Sequence, residues 1–189
     1  MIKLIINGKE IYKDEAVRLE DLAKELGINA YCAKVNNRIR ELVYVVKKDS
    51  TIEFLDLTSV DSMNVYTASL RYLITMAIKN IYPTAKVVFN YSISRSFLCE
   101  IMNIGPINNN VLTAIKTEME RIIEADYPIT RVTKPKAEAL KIYEELGYED
   151  KAAILAYRPE DTVHFYECNG YLNYMFGYMV PKNFIYKRL

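Results

Sequence analysis

The chain has 189 residues, 51% of them apolar and 26% charged, a balance that excludes a disordered chain or a membrane-embedded one and leaves room for one large domain or two small ones. A formal net charge of +1 excludes a broad basic field, so any contact with nucleic acid has to come from a local patch. Three scattered cysteines, Cys32, Cys99 and Cys168, and a single histidine, His164, fit neither a disulfide framework nor a paired-cysteine zinc site, and point to reduced thiols in the cytoplasm.

The first elements read clearly. Segments 2–6 and 10–13 flank Asn7-Gly8, a pair that accepts the positive backbone angles of a tight hairpin turn. The apolar opening is too short for a signal peptide, and no later segment approaches the roughly 20 apolar residues of a membrane helix. Leu19, Leu22, Ala23 and Leu26 recur at helical spacing before Gly27, which can take the left-handed angles that end a helix. Segments 31–35, 42–46 and 51–57 then supply β-branched, apolar strands, the first followed by an Asn36-Asn37 turn. A hairpin, a short helix and further strands bury their apolar faces together in a β-grasp arrangement.

Residues 58–62 are composed as a polar linker and helix cap, which places a domain boundary after residue 60 and predicts domains 1–60 and 61–189. A long helix from about residue 64, carrying Leu70, Leu73, Ile74, Ala77, Ile78 and Ile81, stops before Pro83. An extended pair over 86–90 and 96–102 precedes a second helix at 109–125. A strand at 129–132 leads into a third helix over 136–146, closed by Gly147. From residue 152 onward the pattern predicts tyrosine-rich extended segments with a turn at Asn169-Gly170, so the class is α+β.

The string AKVNNRIREL followed by DSTIEFLDLTS resembles the TGS domain found in threonyl-tRNA synthetases, some GTPases and nucleotide-signalling enzymes, which implies a small ligand- or RNA-binding module. The series YLITMAIKNIYP, SISRSFLCEI and TAIKTEMERIIEADYPI is similar to the second, editing domain of threonyl- and alanyl-tRNA synthetases. In that family the helix carries a His-x-x-x-His pair and a later Cys-x-x-x-His completes a metal-site-like cluster. The matching positions here are Tyr72, Met76, Cys168 and Leu172, so the resemblance implies a kept scaffold without metal ligands or a general base, and hydrolysis of mischarged tRNA is not expected.

The strings AKVNN, EFLDLTS, TAIKTEMERII and FGYMVP also resemble the front of uridine kinase-like nucleoside kinases. That resemblance implies a regulatory region preceding a P-loop kinase domain in the same chain, with ATP and magnesium as cofactors of the parent. No Gly-x-x-x-x-Gly-Lys-Ser/Thr stretch occurs here, so no phosphoryl transfer and no metal are expected of this region itself, and the sequence is read as a truncated chain. The alternative is a stand-alone tRNA- or RNA-binding module related to threonyl-tRNA synthetase. Lys34, Arg38 and Arg40 beside the Asn36-Asn37 turn are either phosphate contacts or a solvated hairpin end. Tyr166, Tyr171 and Tyr174 are either sheet residues or a platform for a nucleoside, nucleotide or tRNA base; Lys182, Lys187 and Arg188 add charge near the end, and no membrane or DNA partner is expected.

Overall fold

A computed structural model describes residues 1–94 and 96–182. Tyr186, Lys187 and Arg188 lie outside the described residues. The chain forms two compact units, Met1–Pro128 with the segment from Phe176 onward, and Ile129–Met175.

The first unit begins with β1 (Ile2–Ile6) and β2 (Lys9–Lys13), joined at Asn7 (φ 50°) and Gly8 (φ 78°). Positive φ at both central positions is the turn whose twist matches an antiparallel pair. β3 (Val17–Arg18) leads into α1 (Leu19–Glu25), and β4 (Cys32–Val35), β5 (Arg38–Arg40), β6 (Val45–Val46) and β7 (Ser50–Leu55) follow. The main sheet has the order β2-β1-β7-β4-β5, with β1 and β7 parallel and its other pairs antiparallel, while β3 pairs with β6. A parallel pair requires a crossover rather than a hairpin, and the stretch containing α1 supplies it. Leu19 and Leu22 of α1 join Leu4, Ile6, Ala33, Val35 and Ile52 of the sheet in one apolar cluster, so the predicted β-grasp is present.

Two local expectations need correction. The strand predicted over 42–46 contracts to Val45–Val46, because residues 41–44 turn, with Tyr44 N donating to Glu41 O. That turn has a use: the carbonyls of Leu42 and Tyr44 accept from the amides of Glu20 and Leu19, two of the donors that a helix start leaves open. β5 is the return arm of a second positive-φ turn at Asn36 (50°) and Asn37 (62°), and its Arg-Ile-Arg sequence hides it from a pattern reading.

α2 (Val60–Ile81) starts four residues before the predicted point, so part of the supposed linker is helical. Thr58 N donates to the Asp56 carboxylate, and the buried Ser62 hydroxyl donates to Leu55 O at 3.0 Å, which fixes the first turn against the end of β7. β8 (Lys86–Ile93) and β9 (Ser96–Met102) form an antiparallel hairpin. α3 (Asn109–Ala125) is capped by Asn108 Oδ1, which accepts from Val111 N, and ends at Asp126 in the left-handed region. Ile78, Ala85 and Ile115 form the buried heart between α2, α3 and this hairpin.

The second unit contains β10 (Thr130–Pro135), α4 (Lys136–Glu145), α5 (Glu149–Ala156), β11 (Thr162–Cys168) and β12 (Tyr171–Asn173). Its antiparallel sheet has the order β10-β11-β12. Ala139 and Tyr143 of α4, Leu155 of α5, and Val163 and Phe165 of β11 share its core, with Tyr148 from the turn between the helices. The extended stretch expected from residue 152 is instead helical as far as Ala156, since alanine and leucine favour a helix and the tyrosine-rich strands begin only after it. The molecule is α+β, and among the described residues no helix is long and apolar enough to cross a membrane.

Candidate functional site

Tyr72 and Met76 stand one helical turn apart on α2 and are 0% and 1% exposed. They belong to the packed interior of the first unit. Cys168 is buried at the end of β11 and Leu172 packs on the core of the second unit, so the four positions are divided between the units. A buried phenol and thioether offer neither a strong metal ligand nor a base. Among the described residues no three of His, Cys, Asp and Glu gather as metal ligands. His164 is exposed on β11 with Nδ1 2.9 Å from Thr133 Oγ1, and desolvation, with Arg131 and Arg158 nearby, holds its imidazole below the ordinary range.

The thiols are structural in character. Burial pushes the Cys32 and Cys99 thiols up, away from the reactive thiolate, and Cys99 alone of the three cysteines is partly exposed. In native buffer at neutral pH a maleimide is therefore expected to label Cys99 first, and all three react in denaturant. Mass mapping of the labelled peptides checks this, and early labelling at Cys32 contradicts it.

The basic residues near the Asn36-Asn37 turn divide between the faces of their hairpin. Lys34 is opposite Ile39, while Arg38 and Arg40 are opposite Val35 and Ala33 on the other face. Lys34 Nζ is 3.5 Å from Asp61 and 3.9 Å from Glu53. Arg38 is exposed, and Arg40 stacks on Tyr44 at 5.0 Å while its Nη1 donates to Tyr178 Oη at 3.4 Å. The tyrosines of the second unit are also engaged. Tyr166 is buried, and Tyr171, whose phenol is pushed well above its usual range by burial, accepts from Asn173 Nδ2. Tyr174 Oη accepts from Arg158 Nη1 at 3.2 Å, beneath a guanidinium 5.8 Å from its ring.

A cleft of about 970 Å³ opens in the first unit. Asn64, Thr67, Ala68 and Arg71 line it from one face of α2, at the spacing that puts side chains in a row. Ile39 of β5 closes one side, the end of the β8–β9 hairpin contributes Ser92 and Phe97, and the strap Phe176-Gly177-Tyr178 contributes the rest. The strap is fastened just beyond the cleft: Met179 N donates to the buried Glu41 Oε1 and Val180 N to the buried Ser69 Oγ, both at 2.9 Å. Inside the cleft the Arg71 guanidinium lies 3.9 Å from the Phe97 ring centre and 5.6 Å from that of Phe89. Its Nε is fully buried and meets no acceptor among the described residues. Sequence reasoning missed this site; its only trace was the row of Asn64, Thr67 and Arg71 along an otherwise apolar helix.

No family model matches the chain. It is similar to the threonine–tRNA ligase of Syntrophomonas wolfei, with 32% identity over 144 residues that cover 76% of this chain and 23% of the relative. The threonine–tRNA ligase of Acetivibrio thermocellus is 25% identical over 183 residues, covering 94% of this chain and 29% of the relative, and that of Clostridium kluyveri is 27% identical over 187 residues, covering 96% and 29%. The chain thus spans between 23% and 29% of the length of these relatives. These similarities support a threonyl-tRNA synthetase-like module and give no support to a nucleoside-kinase parent.

Proposed function

We propose that this chain is a tRNA-recognition module of threonyl-tRNA synthetase type that works without hydrolytic chemistry. The reading rests on the similarity to threonine–tRNA ligases along 94% and 96% of the chain, combined with Tyr72 and Met76 in the helix positions where the resemblance calls for histidines. In this reading the region uses no zinc, ATP or magnesium of its own. The kinase parent and its P-loop partner domain rest on string resemblance alone and are not carried forward.

With a net charge of +1, binding has to come from a few local cations rather than a general field. Filter binding of unfractionated tRNA is expected to show saturable binding at low salt. Its log–log salt slope should correspond to only two or three neutralised phosphates, each contributing about −0.9 on duplex or −0.7 on single strand. The same protein should leave mischarged tRNA intact with and without added zinc. No binding at low salt removes the proposal, and zinc-dependent release of amino acid removes its non-hydrolytic part.

A further inference from the structure

We propose that a cavity inside the second unit, between α5 and β11, binds a small apolar carboxylate: one ring or branched chain whose single negative charge is received by Arg158. The site goes beyond the tRNA reading and does not rest on it.

The walls set the body of the ligand. Leu155, Val163 and the rings of Tyr143 and Tyr174 line the cavity, with Ile154, 69% exposed, on its solvent side. Such walls favour an apolar group, which loses contact with water on entering. The volume is about 340 Å³, at the low end of the roughly 300–1,000 Å³ of small-molecule sites. An apolar cavity of about 150 Å³ already holds benzene, so a ring with a short side arm fits here.

Charge sets its sign. The two charged side chains in the lining, Lys151 and Arg158, are both cationic, and no carboxylate lines the cavity among the described residues. Lys151 Nζ lies 4.3 Å from the ring centre of Tyr148 and 5.9 Å from that of Tyr143, which keeps its charge beside the aromatic wall. Arg158 directs Nη1 to Tyr174 Oη at 3.2 Å and Nε to Glu160 Oε2 at 3.1 Å, and among the described residues this leaves Nη2 for an incoming oxygen. Burial pushes the Tyr143 phenol well above its usual range, so that ring adds a neutral hydroxyl and no competing negative charge. A free amino acid is disfavoured, because its ammonium would meet two cations and no anionic partner. The pair of Arg158 with Glu160 is largely in water, with side-chain exposures of 36% and 53%, so it competes only weakly with a ligand carboxylate.

Methyl NMR of the full chain titrated with 3-phenylpropionate tests the proposal, read at Leu155 and Val163. Their signals should shift saturably, whereas acetate, 3-phenylpropionamide, phenethylamine and phenylalanine should shift them far less at equal concentration. Arg158→Gln should weaken binding about tenfold, the loss expected for a hydrogen bond to a charged group. Ile154→Ala should weaken it several-fold. Glu160→Gln should tighten it about twofold by removing the exposed competitor, a gain that a purely structural Arg158 would not produce. The amide spectrum establishes that Arg158→Gln is folded; if it is not, Ile154→Ala and Glu160→Gln, both at exposed positions, carry the test. Absence of saturable shifts, equal binding of the amide or the amine, or unchanged affinity in the folded variants overturns the site. Phenyl phosphate that binds more tightly than the carboxylate overturns the choice of head group. The outcome is separable from the tRNA reading: tRNA binding without carboxylate binding removes only the cavity, and carboxylate binding without tRNA binding removes only the tRNA reading.

Discussion

Tyr72→Ala is expected to destabilise the first unit by about 3–5 kcal/mol, the range for removing a large buried ring when the surroundings cannot close the hole. The side chain is 0% exposed near the middle of a 22-residue helix, with Leu73, Met76, Ala77 and Ile78 buried around it. α2 is also the element that the strap, the β8–β9 hairpin and the β-grasp sheet all meet around the cleft, so a cavity there loosens the cleft walls as well. Urea denaturation followed by circular dichroism measures the effect, and Tyr72→Phe, which keeps the ring, should retain most of the stability. Tyr72→His is expected to fall on the destabilised side, because it replaces a large ring that is 0% exposed with a smaller, more polar one that is costly to bury. A Tyr72→Ala protein as stable as the parent would contradict a core role for this ring.

The same residue shows where sequence reading stops. That positions 72 and 76 hold no histidine is legible from the register of the resemblance, but that they are packed solid is a tertiary fact. Turns were legible because the chemistry is local: Asn7-Gly8, Asn36-Asn37 and Asn169-Gly170 all adopt positive φ at both residues, which asparagine and glycine tolerate best. β5 was not, since Arg38-Ile39-Arg40 becomes a strand only through its pairing with β4. α5 is eight residues long with Leu155 its main core contact, too brief to set a helical period. The start of α2 was hidden because Thr58, Ser59, Asp61 and Ser62 suit a linker as well as a first helical turn. The cleft was the least accessible feature, as it brings together Ile39, side chains of α2 from Asp61 to Arg71, Ser92, Ser94 and Phe97 of the hairpin, and residues 176–178, and no window of sequence spans that set.

Phe165→Ala is expected to unfold the second unit while the first stays folded. Phe165 is 1% exposed on the central strand β11, its ring 5.5 Å from Tyr143 and in one cluster with Ala139, Tyr148, Leu155 and Val163. Losing such a ring costs about 3–5 kcal/mol. A unit confined to residues 129–175 has little to set against that, because stability averages roughly 0.05–0.15 kcal/mol per residue and small cores bury proportionally less surface. Hydrogen exchange with peptide mapping reads the result directly: amides of β10, β11 and β12 should lose protection, and those of β1 and β7 should keep it. Unchanged protection of β11 would show that its stability comes from outside this cluster. The variant also locates nucleic-acid binding, since Tyr171 and Tyr174 lose their ordered positions while Arg71, Phe97 and Phe176 remain in place. tRNA affinity that survives Phe165→Ala assigns recognition to the first unit and its cleft, and affinity that vanishes assigns it to the tyrosine-bearing sheet.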